Sequence, residues 1–188
     1  MIKNLSSMSP VYRLQRCASS AWVAVALSIA ASSASYATQT APIRIAVFDF
    51  ELNDKSAGGG IIEQDALDQE NLKNASQEAR RLLEQSGRYA LIDTSGASDQ
   101  LRSLGGIQNC NQCNVDIAKE LDADQSMVGV IGRINRTEYT LQIVIRDTAS
   151  GEVVASEFTG LRMGANYAWP RGVKWLMTNR ILSAEPKR

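Results

Sequence analysis

Cys110 and Cys113, separated by Asn111 and Gln112, carry the most distinctive chemistry in this chain. Two thiols three residues apart, ahead of an apolar helical stripe, allow a local disulfide, a redox dyad or half of a metal shell. In the second case the helix dipole would lower the pKa of the leading thiolate. The sequence contains no histidine. That removes Ser-His-Asp and Cys-His catalysis within the chain, and two thiolates alone leave a tetrahedral zinc shell half filled. Attachment of a c-type haem also fails, because Asn114 stands where that motif needs histidine. No metal and no cofactor is expected. A thioredoxin-like site would pair its cysteines with a cis-proline ahead of a later strand. Past residue 37 the prolines are Pro42, Pro170 and Pro186, and Pro170 sits before a helical pattern. These features favour a structural disulfide that pins a loop onto the next helix, with thiol-disulfide redox chemistry as the alternative.

Other candidate groups are less specific. Asp49 and Glu51 bracket Phe50 at the end of an apolar run, where open α/β sheets place ligand groups. Gly58-Gly59-Gly60 follows, but without the downstream Gly-Lys-Ser/Thr of a phosphate-binding loop. Together these five residues form a possible ligand or partner loop. Tyr167, Trp169 and Trp175 form a possible partner surface, since clustered aromatics are common at interfaces. No catalytic residue is assigned, and the chain is read as leaning away from enzyme activity.

Residues 1–37 set the compartment. Lys3, Arg13 and Arg16 make a positive segment without acids, followed by the apolar run 21–31 and by Ser35-Tyr36-Ala37. This is the pattern of a cleaved export signal, so a single domain is expected over residues 38–188, periplasmic or secreted. The run is shorter than the roughly 20 apolar residues a membrane span needs, and no transmembrane anchor is expected afterwards. Cys17 follows Leu14-Gln15-Arg16 rather than the small residues of a lipidation site. Three of the 20 basic residues lie in the leader, which leaves 17 against 20 acidic ones, a net of −3. Mild acidity argues against a nucleic-acid or anionic-membrane partner, because phosphate binding needs clustered Lys and Arg. Losing Cys17 leaves an even pair of cysteines, as an oxidising compartment favours.

The elements that must position these groups follow from periodicity. Residues 43–50 read as a strand buried on both faces, and 51–65 as a polar loop. Leu67, Leu72, Ala75, Ala79, Leu82 and Leu83 recur at helical spacing, predicting a helix over 66–85 that stops at Gly87. A short strand over 89–93 completes a β-α-β unit. A second helix spans 95–104 and ends at Gly105-Gly106. Val115, Ile117, Ala118 and Leu121 predict a third, with Asn111 or Asn114 as its cap and Asp116 complementing its N-terminus. Residues 125–134, 139–147 and 153–161 alternate as an antiparallel meander, and a last helix covers 166–182. The expected fold is a mixed β-sheet packed with helices, in the order β-α-β-α-α-β-β-β-α.

Arg44-Ile-Ala-Val-Phe-Asp-Phe50 resembles the opening strand of the TolB amino-terminal domain and of CsgG-like exported domains. Ala118-Lys-Glu-Leu-Asp-Ala-Asp124, Val128-Gly-Val-Ile-Gly132 and the segment from Leu141 to Asp147 with Ser150-Gly-Glu-Val153 are similar to their second half. With the two cysteines ahead of the helix, the chain resembles a small family of exported Gram-negative proteins of unknown function. The resemblance covers roughly Ile43 to Leu161. It implies a non-enzymatic envelope domain that docks on another cell-envelope protein.

Overall fold

The computed structural model describes residues 41–59, 64–110, 112–135, 137–162 and 169–184. The leader with its cleavage site, Gly60, Asn111 and Tyr167 lie outside them.

Strand β1 (Ile43–Val47) buries Ile45 and Val47 toward one side and Ala46 toward the other, as a central strand must. It runs parallel to β3 (Tyr89–Ile92), with Ile43 opposite Tyr89, and to the start of β4 (Gln125–Arg133), with Ile45 opposite Gln125. Between β1 and β3 lies helix α1, which occupies Ala66–Gln85 as its apolar spacing predicts. The Asp65 carboxylate accepts the Asp68 N–H at 2.7 Å and starts the helix. Gly87, at φ 66°, follows its C-cap.

Glu51–Asp54, expected as loop, is a short strand, β2, parallel to the far half of β4 with Glu51 opposite Val130. Its single buried apolar residue, Leu52, gives too weak an alternation to announce a strand, and β4 supplies the pairing. Val47 lies opposite Met127 and Glu51 opposite Val130, so residues 48–50 face only two residues of β4. That is the geometry of a β-bulge. It turns Phe50 into the core, where its N–H donates to Ser76 Oγ at 2.9 Å, and turns Asp49 out to solvent. Gly129 makes the turn possible: a Cβ there would lie 2.3 Å from the Phe50 ring.

Helix α2 (Ser98–Ser103) follows a 3₁₀ turn at Ser95–Ala97, and α3 (Cys113–Glu120) follows another at Ile107–Asn109. Then β4, β5 (Glu138–Asp147) and β6 (Val153–Arg162) form the expected antiparallel meander, with a register shift at Ile145/Arg146. Helix α4 (Trp169–Leu176) continues into a π turn at Met177–Ile181. The sheet order is β3-β1-β4-β5-β6, with β2 extending β1 along β4. No helix among the described residues is long and apolar enough to cross a membrane.

The two faces of the sheet are covered unequally. On one, Leu72, Ala75, Ala79 and Leu83 of α1 and Trp169, Val173 and Leu176 of α4 pack against β1, β4 and β5 in a large core. On the other, Ala97, Ile107, Ile117, Ala118 and Ala123 cover Ala46 and Phe48 in a small one. Among the described residues this second core takes nothing from β5 or β6.

Candidate functional site

The cysteine segment begins where α2 ends. Gly105 and Gly106 take positive φ values of 75° and 90°, conformations that glycine supplies without strain, and redirect the chain into the 3₁₀ turn. The Glu51 carboxylate closes over that turn. Its Oε1 accepts the Ile107 N–H at 2.6 Å and its Oε2 accepts the Gln108 N–H at 3.1 Å. A Cβ at Gly106 would sit 2.9 Å from Glu51 Oε1, so glycine also allows the close approach. Both Glu51 oxygens therefore hold loop backbone.

Cys110 and Cys113 are joined by a disulfide with their Cα atoms 5.6 Å apart. Cys113 opens α3 and packs, half-buried, against the smaller core. The residue before it, Gln112, adopts the left-handed conformation at φ 65° and caps the helix with no side-chain hydrogen bond. Of the two asparagines expected as cap, Asn111 lies outside the described residues and Asn114 does not take that role. Asn114 lies inside the first turn, buried, and its Nδ2 donates to Ser126 Oγ on β4 at 3.0 Å. Asp116 does sit in the first turn. The segment is thus held by three independent devices, the Glu51 clamp, the disulfide and the Asn114–Ser126 bond.

A second feature lies at the carboxyl ends of β1 and β3. Val47, Asp49, Arg80, Leu91, Ile92, Asp93, Thr94 and Ser95 line an open cleft of about 490 Å³. Arg80 reaches it from α1 and donates through Nη2 to the Val47 carbonyl at 2.8 Å and to Asp49 Oδ1 at 2.9 Å. Thr94 Oγ1 donates to the same carbonyl at 3.2 Å. The Asp93 carboxyl is held below the usual range by the Ser95 backbone N–H and then by the Ser95 hydroxyl. It stays ionised at neutral pH, the reverse of what a general acid requires. The cleft therefore presents a fixed, mixed-charge rim over an apolar floor, suited to holding polar groups of another molecule.

Asp49 and Glu51 do not converge. Asp49 belongs to this rim, while Glu51 faces a separate cleft of about 400 Å³ with Asp54, Gly106 and Gln108. Gly58 and Gly59 lie in the turn after β2, where a Cβ on Gly59 would meet the Asp54 carbonyl oxygen at 2.2 Å. Trp169 and Trp175 also part company. Trp169 is fully buried with its ring 5.6 Å from that of Tyr139, whereas Trp175 is exposed with the Arg180 guanidinium over it.

Sequence reasoning missed the ion cluster that ties β2 to α1. Arg133, at the end of β4, bonds Asp54 Oδ2 at 3.0 Å and the buried Asp68, and stacks on Tyr139. Burial works against the guanidinium charge, but the Asp68 carboxylate, with Tyr139, more than offsets it and raises the pKa, so the charge is permanent. The partners lie far apart in sequence and left no local signal. Among the described residues no group of three or more metal-ligating side chains is arranged to hold an ion.

Residues 43–181 match the family DUF3280, described as protein of unknown function (DUF2380). No curated protein matches the chain. Among solved structures, lipoprotein GNA1162 from Neisseria meningitidis is 11% identical and aligns over 76% of this chain and 99% of that one, with a TM-score of 0.50. The LpoB C-terminal domain from Escherichia coli is 17% identical over 66% of this chain and 85% of that one, with a TM-score of 0.45. TolB from Acinetobacter baumannii aligns over 78% of this chain but 29% of its own, at 11% identity and a TM-score of 0.43. These likenesses concern the fold, a mixed sheet packed with helices.

Proposed function

The chain belongs to the DUF3280 family of proteins of unknown function, and on that premise we propose that it is an exported adaptor domain of the cell envelope, working through protein contacts and without catalysis. The observation that carries this reading is the cleft at the carboxyl ends of β1 and β3. Its rim groups, Arg80, Asp49 and Asp93, are fixed by hydrogen bonds to the chain itself, and it opens broadly to solvent. A partner's polar side chains fit such a rim. The leader pattern in residues 1–37 and the disulfide support an oxidising compartment. The fold-related GNA1162 is a lipoprotein by its own description.

The test is site-specific photo-crosslinking in the producing cell. A crosslinker at position 49 or 93 should give one discrete adduct with another envelope protein, and a crosslinker at the exposed Glu70 should give none. Uniform labelling from all three positions, or a steady-state turnover assigned to the purified protein, would contradict the proposal.

One observation favours a second reading. Cys113 is the first residue of α3, where the helix dipole stabilises a thiolate. That placement suits thiol-disulfide exchange, and the reduction potential of the pair separates it from a structural staple.

A further inference from the structure

The two edges of the sheet differ in a way that the adaptor reading does not use. Edge β3 is four residues long, short enough to offer little to another strand. Edge β6 runs for ten residues, Val153–Arg162, and among the described residues it pairs only with β5. Natural proteins blunt such an edge with lysine, proline or an inward charge. Here Val153-Val-Ala-Ser-Glu-Phe-Thr-Gly-Leu-Arg162 contains no lysine and no proline, and its one charge on the helix-covered face is Glu157, half-buried opposite Ile143. The strand is also firmly seated, because α4 rests on it so closely that a Cβ at Gly172 would lie 2.4 Å from Leu161 Cδ2. Phe158, 63% exposed, stands opposite Gln142 on the face that the described residues leave uncovered at β5 and β6.

We propose that β6 is a homodimerisation edge, pairing antiparallel with β6 of a second copy about a two-fold axis at Phe158. The register follows from elementary constraints. Opposed residues in an antiparallel pair share a face, so the axis must pass between two copies of one residue and never between neighbours. The two registers of longest overlap centre on Glu157 and on Phe158. Centring on Glu157 sets two carboxylates directly opposite each other, which is destabilising. Centring on Phe158 places Glu157 opposite Thr159 and Ser156 opposite Gly160, and it pairs the two Phe158 rings across the axis. The small residues Ser156 and Gly160 flank the rings on the same face, and the space at Gly160 is open. Charge and side-chain size thus make the strand complementary to itself in one register. The two sheets would join into one, with the helix-poor faces on the same side.

Sedimentation of the protein as cells produce it, together with cysteine crosslinking, tests this. The wild type should be a concentration-dependent dimer. Phe158→Lys should weaken dimerisation about tenfold or more with an unchanged circular dichroism spectrum. Under mild oxidation Phe158→Cys should crosslink to itself. Ser156→Cys and Gly160→Cys should each fail alone and crosslink when mixed. A monomer at every concentration, a dimer indifferent to Phe158→Lys, or self-crosslinking of Ser156→Cys without that of Phe158→Cys would overturn the assignment.

Discussion

The two faces of this sheet are stabilised by different physics. On the α1/α4 face most groups are large and apolar, and Trp169, Leu83, Met127, Leu141, Ile143 and Leu176 are all fully buried, with the Arg133–Asp68 ion pair at the β2 end. On the α2/α3 face the core is small and alanine-rich, and specific polar ties and one disulfide do the holding. Nonspecific burial gives the first face most of the folding free energy, since that term scales with apolar area. The second face gains position rather than bulk. Its loop is set by Glu51, and among the described residues it leaves β5 and β6 uncovered. The proposed binding features lie along this less covered side and at the strand ends, where little apolar area remains to be buried by the fold itself.

The comparison can be broken or sharpened by substitution. The largest effect is expected from Trp169→Ala, which should destabilise the fold by about 3–5 kcal/mol in urea unfolding, because it empties the centre of the larger core. Glu51→Gln removes the charge from two hydrogen bonds and should cost less, about 1–2 kcal/mol. Its signature is local: hydrogen exchange should quicken at Ile107 and Gln108 and stay unchanged in α1. Equal quickening in α1 would mean that the two faces do not unfold separately. Cys113→Ser should cost below about 2 kcal/mol, since closing a four-residue ring removes little chain entropy.

The smallest effect is electrostatic and depends on pH. Arg44 hydrogen-bonds the Asp124 carboxyl and holds it below the usual carboxylate range. A depressed folded pKa stabilises the fold above the ordinary carboxylate value, and that contribution is lost as pH falls through the depressed one. Asp124→Asn should therefore lower the urea midpoint slightly at neutral pH. In acid below that depressed pKa it should match the wild type. A loss that is the same at both pH values would assign the effect to packing.

Much of the larger core was legible because its signals are local. The spacing from Leu67 to Leu83, with Gly87 beyond it, placed α1 at Ala66–Gln85. The alternation of Leu141, Ile143 and Ile145 placed β5. The other face was less legible because its determinants are nonlocal. Strand β2 exists through β4, Glu51 acts on backbone 56 and 57 residues away, and Asn114 reaches Ser126 instead of capping its helix. The cysteine spacing announced a bond. It did not announce that a carboxylate from β2 would hold the same loop.

The central claim is that Cys110–Cys113 is a staple within a binding domain and not a working dithiol. Its most direct test is the reduction potential of the pair in the purified protein, poised with thiol buffers and read by mass after alkylation. The account requires a potential below about −300 mV, with both sulfurs slow to alkylate. A potential between about −270 and −120 mV, with a thiol that alkylates rapidly near neutral pH, would contradict it and establish thiol-disulfide exchange as the activity.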